Sequence, residues 1–288
     1  MRKDQVKMSR NAFALKNLCL ATAIAVTVAG CRTDCECSHP WTGKTVAFLG
    51  DSITDPRHVG TTRNYWQGLE DLMGIRSEVF AVSGFRWFQM PQMAEKLKAK
   101  LGDKVDAILI FAGTNDYNHG DPLGVWYEVT EAETERNGRK VTLPRRTMSF
   151  DSTTMRGNVN RTLAMLKHDF PDAQIVLLTP IHRAAARFSQ TNVQPDESFP
   201  NDLGLYVDAY VRVVREAADV WAVPVVDLAA DSGLYPLEKS HAKYFHRDPD
   251  DLLHPNAAGH LRMAKTLAAR LASLPPGFRD GRTGKDDE

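Results

Sequence analysis

The chain has 288 residues, 43% of them hydrophobic and 25% charged, with 36 Lys/Arg balanced by 36 Asp/Glu. This is the composition of a globular protein of one large or two small domains, long enough to bury a sizeable core. A formal net charge of zero excludes the basic footprint expected of a nucleic-acid-binding protein.

The first predicted element lies outside the fold. Residues 1–16, MRKDQVKMSRNAFALK, carry five Lys/Arg and one Asp, and a run of small and apolar residues follows from Leu18 to Gly30. A basic segment, a short apolar segment and small residues before a cut site read as a secretory signal over residues 1–30, too short to span a bilayer comfortably. Its removal leaves a net charge near −4. Val28-Ala29-Gly30-Cys31 resembles a bacterial lipobox, which implies lipidation of Cys31 and anchoring of an exported protein to a membrane. Arg32, rather than Asp, follows the cysteine and points to the outer membrane, on its periplasmic or surface face. Acyl chains contribute about 0.8 kcal/mol per buried CH₂, so several anchor where one would not. Cys35 and Cys37 could pair in an oxidising compartment, although one intervening residue strains the ring. Too few further ligands stand nearby for zinc. Residues 31–43 are assigned as a tether.

Five β-branched apolar runs then follow: 45–50, 78–84, 105–113, 173–180 and 223–228. None alternates strictly, as expected of strands buried on both faces. Helical spacing occupies 65–73, 93–101, 152–168, 205–221 and 256–274, and Leu274-Pro275-Pro276-Gly277 closes the last. Strands alternating with helices predict an α/β fold, a three-layer doubly wound sandwich around a five-stranded parallel sheet. Two stretches interrupt the rhythm. Residues 125–150 alternate with period two around Asn137-Gly138, a hairpin signal. The hairpin is expected to project above the carboxyl edge of the sheet, where Trp126 and Tyr127 could cover a site. Residues 183–203 form a long polar loop. The domain is expected over 44–274, with insertions at 118–151 and 183–203, and a disordered tail over 275–288.

Ligands of open α/β sheets bind outside the carboxyl ends of the strands. The segments found there are Gly50-Asp51-Ser52, then Ser83-Gly84-Phe85-Arg86-Trp87, then Gly113-Thr114-Asn115-Asp116, then Thr179-Pro180-Ile181-His182-Arg183. Before the last helix stands Asp251-Leu252-Leu253-His254-Pro255. In this order and spacing the set resembles the SGNH hydrolases, the GDSL esterase/lipase family, over residues 45 to about 272. The resemblance implies the flavodoxin-like SGNH fold and an ester hydrolase with Ser52 as nucleophile, His254 as base and Asp251 as its orienting acid. A serine hydroxyl attacks only when a base takes its proton, and an imidazole oriented by a carboxylate is suited to that. Asp251 and His254 are expected on a turn entering the last helix. The resemblance also implies an oxyanion hole made by the backbone N–H groups of Ser52 and Gly84 and the side-chain amide of Asn115. Asp116 is read as a loop or capping residue. One departure stands out: the family often carries Asn shortly before the second-block glycine, where this chain has Ala81 and Ser83.

Asp51, Arg86, His119, His182 and Arg183 are candidates for the substrate side, Asp51 chiefly by ordering the serine turn. Trp87 and Phe88 could form an aromatic wall, and Trp66 is expected in the core. Thr42-Gly43-Lys44-Thr45 fails as a phosphate loop, because Ser38 stands where its first glycine belongs. G-x-S-x-G and H-E-x-x-H are absent, and neither a metal nor a cofactor is implied. A polar hairpin on an exported chain favours a carbohydrate O-acetyl ester as substrate. The alternatives are a lipid, lysophospholipid or thioester of longer acyl chain and, in another class, non-catalytic glycan binding. The sequence carries no sign of an oligomeric state.

Overall fold

The computed structural model describes residues 39–274 and Phe278. The signal segment, Cys31, Cys35, Cys37 and, Phe278 apart, the tail 275–288 lie outside the described residues.

The chain begins β1 (Thr45–Gly50), α1 (Tyr65–Met73), β2 (Arg76–Ala81), α2 (Met90–Leu101), β3 (Ala107–Phe111) and α3 (Thr114–His119). It continues with the hairpin strands β4 (Tyr127–Arg136) and β5 (Arg139–Met148), then α4 (Met155–Asp169), β6 (Gln174–Leu178), β7 (Ala186–Arg187) and β8 (Val193–Gln194). It ends with α5 (Val207–Trp221), β9 (Val225–Val226), α6 (Leu228–Asp231), β10 (Phe245–Arg247), β11 (Asp251–Pro255) and α7 (Ala257–Ala272).

The main sheet has the order β2-β1-β3-β6-β9, parallel throughout, the flavodoxin-like arrangement. Its strands read as continuous apolar runs because both faces are covered. Ala47, Leu49, Ile108, Ile110, Ile175 and Leu177 pack with residues of α2, α4 and α5. Their alternates Val46, Phe48, Leu109, Val176 and Leu178 pack with residues of α1 and α7. Side-chain caps start two of the covering helices. Thr154 Oγ1 accepts from Gly157 N at the start of α4, and Asn256 Oδ1 accepts from Ala258 N and Gly259 N at the start of α7.

Register decides where the chemistry can sit. Gly50 lies opposite both Ala81 and Phe111, and Phe111 lies opposite Leu178. Four strands therefore end level, and the loops after them share one edge. A second, antiparallel sheet of order β10-β11-β7-β8 ties the insertion 183–203 to the segment of Asp251 and His254.

Three expectations change. Residues 39–43 of the assigned tether belong to the fold: Trp41 is fully buried, His39 Nε2 lies 3.0 Å from Ala268 O, and Thr42 Oγ1 donates to Met73 O at 2.9 Å. From the assigned tail, Phe278 meets Trp41 edge-on at 5.0 Å between centroids. The hairpin is present, yet its base is fastened to the outer helices. Trp126 Nε1 donates to Glu216 Oε2 of α5 at 2.8 Å, and Asn160 Nδ2 of α4 donates to Trp126 O and Ser149 O at 3.0 and 2.7 Å. Trp126 is thus a pin for the hairpin base rather than a cover for the site.

Candidate active site

Ser52 follows β1 in a turn held from inside. Asp51 Oδ1 accepts from Ile53 N at 3.1 Å, and Thr54 N and Asp55 N donate to Asp51 O at 3.0 and 2.9 Å. Beneath the turn, Thr54 Oγ1 lies 3.0 Å from Tyr65 OH, and Trp66 Nε1 donates to Thr54 O at 3.1 Å. Trp66, expected in the core, is half-buried and braces this turn. Asp51 is almost wholly buried, and that burial pushes its carboxyl up to about 7 against the hydrogen bond from Ile53.

The last block reaches Ser52 from β11. His254 Nε2 lies 2.9 Å from Ser52 Oγ, and His254 Nδ1 lies 3.1 and 3.0 Å from the two carboxylate oxygens of Asp251. All three side chains are buried. Burial alone would raise the Asp251 carboxyl. Hydrogen bonds from the His254 ring and backbone and from His246, with the nearby imidazole charge, instead hold it down at about 2. It stays a carboxylate and can stabilise an imidazolium at His254.

Asp251 and His254 lie on a strand, not on a turn into α7. In a regular strand, residues three apart face opposite sides. Here Phe245 pairs with Pro255 and Arg247 with Asp251, so three residues of β11 face the single residue His246 of β10. This bulge turns the strand locally. Asp251 Oδ1 closes the turn by accepting from Leu253 N and His254 N at 3.2 and 3.1 Å. The two side chains meet as a result.

The second and third blocks complete the edge. Gly84 has φ +84°, a left-handed conformation that aims its N–H where an L side chain would strain the backbone. Among the described residues, the backbone N–H groups of Ser52 and Gly84 donate to no protein acceptor. Asn115 Nδ2 donates to Phe85 O at 3.0 Å and reaches Asp51 Oδ2 at 3.3 Å. These contacts aim the amide along the loop that carries Gly84. Asp116 is fully buried and accepts from Trp87 N at 3.1 and 3.3 Å, which clamps the second block to the third. Burial pushes its carboxyl up to about 8. In place of the missing Asn brace, Asp55 Oδ2 accepts from Ser83 N at 2.7 Å.

The remaining candidates divide. Arg86 pairs with Asp121 and lies 5.9 Å from the Phe88 ring centroid. Trp87 is core, whereas Phe88 is exposed. His119 ends α3 and is exposed. His182 is half-buried, its Nδ1 2.6 Å from Glu197 Oε1, and it lines a separate cavity with Val207, Val211 and Arg215. Arg183 is held inside the protein. It is fully buried, donates to Asn118 Oδ1 and, at 3.0 Å, to Gln194 Oε1, and lies 5.5 Å from the Tyr117 ring centroid. Its burial lowers its pKa to about 10. It locks the insertion onto α3.

Two residues escape the sequence reading. Phe188, exposed on the insertion, meets the His254 ring edge-on at 5.5 Å and walls the site. His246 Nδ1 lies 3.0 Å from Asp251 Oδ2. Neither has a motif. An aromatic in a polar insertion, and a histidine five residues before Asp251, were the only signals.

The comparisons agree with this fold. The model of the GDSL-like lipase/acylhydrolase family matches residues 48–262. A protein from Lactobacillus plantarum aligns with TM-score 0.64 and 26% identity, over 81% of this chain and 99% of its own. A protein from Chitinophaga pinensis described as a possible lipase aligns with TM-score 0.58 and 19% identity, over 79% of this chain and 97% of its own. A salicylyl-acyltransferase from a tetracycline biosynthetic pathway aligns with TM-score 0.55 and 19% identity, over 82% of this chain but 56% of its own. No curated protein matches. Fold, site and family model together define a hydrolase acting on esters. The chain belongs to the GDSL-like lipase/acylhydrolase family.

Proposed function

We propose that the protein is an esterase of short acyl groups, a carbohydrate O-acetyl esterase, working through an acyl-enzyme on Ser52. His254 takes the Ser52 proton as the hydroxyl attacks the ester carbonyl. Asp251 stabilises the imidazolium that forms. The tetrahedral oxyanion is met by the N–H groups of Ser52 and Gly84, and by the Asn115 amide as it gives up one of its two acceptors, Phe85 O or Asp51 Oδ2. His254 then returns the proton to the leaving alcohol, and water repeats the sequence to release the acid. Losing one oxyanion donor typically costs about 10²–10³ in turnover.

One observation carries the short-acyl reading. The apolar space under the nucleophile turn, between Asp51, Ile53, Phe111, Thr114, Pro180, Ile181 and Leu253, is too tightly packed to admit a water molecule. A long acyl chain finds no tunnel there, and an acetyl group needs none. The test compares p-nitrophenyl acetate with p-nitrophenyl octanoate, then acetylated glycans, with Ser52→Ala as control. Ser52-dependent release of acetate with little turnover of octanoate is expected. A preference for octanoate would move the substrate to longer acyl esters, and binding of glycans without turnover would replace catalysis by recognition.

We also propose export and lipid anchoring through Cys31. Cys31→Ser should abolish radiolabelled-lipid incorporation in cells and release soluble protein; continued labelling would overturn the proposal.

A further inference from the structure

The Asp251 carboxylate has an uneven set of partners. Oδ1 is pinned by two backbone N–H groups, from Leu253 at 3.2 Å and His254 at 3.1 Å. The single Nδ1 proton of His254 lies within reach of both oxygens, at 3.1 and 3.0 Å. Among the described residues, the only other donor to Oδ2 is His246 Nδ1, at 3.0 Å. A carboxylate turns about a soft terminal torsion. Both oxygens turn together on that one torsion, so a donor on Oδ2 adds its restraint to that of the two backbone donors on Oδ1.

We propose that His246 is a positioning residue that fixes the rotation of the Asp251 carboxylate toward His254. The proposal rests on the reading of Ser52, His254 and Asp251 as the catalytic relay. The bulge that brings Asp251 and His254 together also sets His246 opposite them. Because a carboxylate only accepts, the shared proton sits on His246 Nδ1. Two neighbouring cations have other partners. Arg247 Nε pairs with Asp250 at 3.1 Å, and Arg183 is committed to Asn118 and Gln194. The His246 side chain is 45% exposed and lines an open cleft of about 520 Å³ with His58, Thr61, Thr62 and Asn256. It is therefore not needed to fill the core, and its removal should leave the packing intact.

The test uses the full chain and p-nitrophenyl acetate. In His246→Ala, kcat should fall about ten- to a hundredfold, the range carried by a hydrogen bond to a charged group, with KM unchanged. In His246→Asn, whose amide nitrogen takes the place of Nδ1, most of the kcat should return. The downfield NMR proton of His254 Nδ1 should shift in His246→Ala and stay in His246→Asn. Melting temperatures should agree among the three proteins; if His246→Ala melts early, His246→Leu replaces it in the comparison with Asn. Wild-type kcat in His246→Ala, an equal loss in the Asn variant, or an effect confined to KM would overturn the proposal. Ser52→Ala keeps its failure distinct from that of the relay: turnover surviving in Ser52→Ala would refute the relay, whereas the His254 proton signal tests His246 without turnover.

Discussion

Single residues in this site are constrained from behind as much as from the front. Gly60, with φ +75°, would place a Cβ 2.6 Å from His254 Cβ and 3.3 Å from His246 Cβ. The Gly60→Ala variant should therefore cost more than the roughly 1–2 kcal/mol of forcing an L residue into the left-handed region. It should push His254 off Ser52, so that kcat falls well beyond what the change in melting temperature implies. Steady-state kinetics beside a thermal melt would check this. Asp51 offers a pH test. Its carboxyl, lifted to about 7 by burial, is neutral below that pH and anionic above it. It lies 3.3 Å from the Asn115 amide, so ionisation draws that donor and sets a negative charge beside the oxyanion site. Asp51→Asn keeps an acceptor for Ile53 N and never ionises. The ratio of variant to wild-type kcat should rise between pH 6 and pH 9, and a flat ratio would remove Asp51 from the mechanism.

At the scale of elements, the insertion 183–203 is a structural partner of the site. It pairs through β7 with β11 and is held to α3 by Arg183, whose Nε is itself buried without a partner. Arg183→Met should orphan the Asn118 Oδ1 acceptor, worth about 1–3 kcal/mol, and leave Gln194 Oε1 only the amide of Asn118. We expect a lower melting temperature and faster hydrogen exchange over 186–194, with a loss of kcat as Phe188 and β11 loosen. Exchange unchanged in that segment would contradict the clamp. The same insertion marks the limit of sequence reading. The five strands of the main sheet and the five long helices α1, α2, α4, α5 and α7 were legible because apolar runs and helical periodicity are properties of neighbouring residues. The strand-end blocks were legible because each follows an apolar run. β7 and β8 were not, since they are two-residue strands in a polar insertion without an apolar run, and β7 is placed by β11, some sixty-five residues away. The bulge on β11 was hidden for a related reason: Asp-x-x-His fits a turn as well as a strand until the pairing with β10 is known. Trp126 was misjudged because its spacing says hairpin but not which layer fastens the base.

For the molecule as a whole, buried ionisable groups shape stability against pH. His260 is almost fully buried, stacks on Tyr65 at 6.1 Å, and accepts from Tyr65 N at 3.1 Å through Nδ1, which requires the neutral ring. Burial lowers its pKa to about 3. The unfolded chain takes up this proton near pH 6.5 and the folded chain only near 3, so the contribution is present above about 6.5 and is lost as pH falls toward 3. His260→Asn, which keeps an acceptor near the Nδ1 position, should lower stability at pH 7 yet flatten its decline between pH 6.5 and 4, as read from urea midpoints. The hairpin contributes in a different way. Its base is pinned on α4 and α5, and its ten-residue strands carry the Asn137-Gly138 turn roughly 30 Å from that base at ordinary strand rise. A dye, an affinity tag or a resin linkage at this tip would be tethered through the outer helices instead of the catalytic edge. The enzyme thus comes with its own spacer arm for immobilisation.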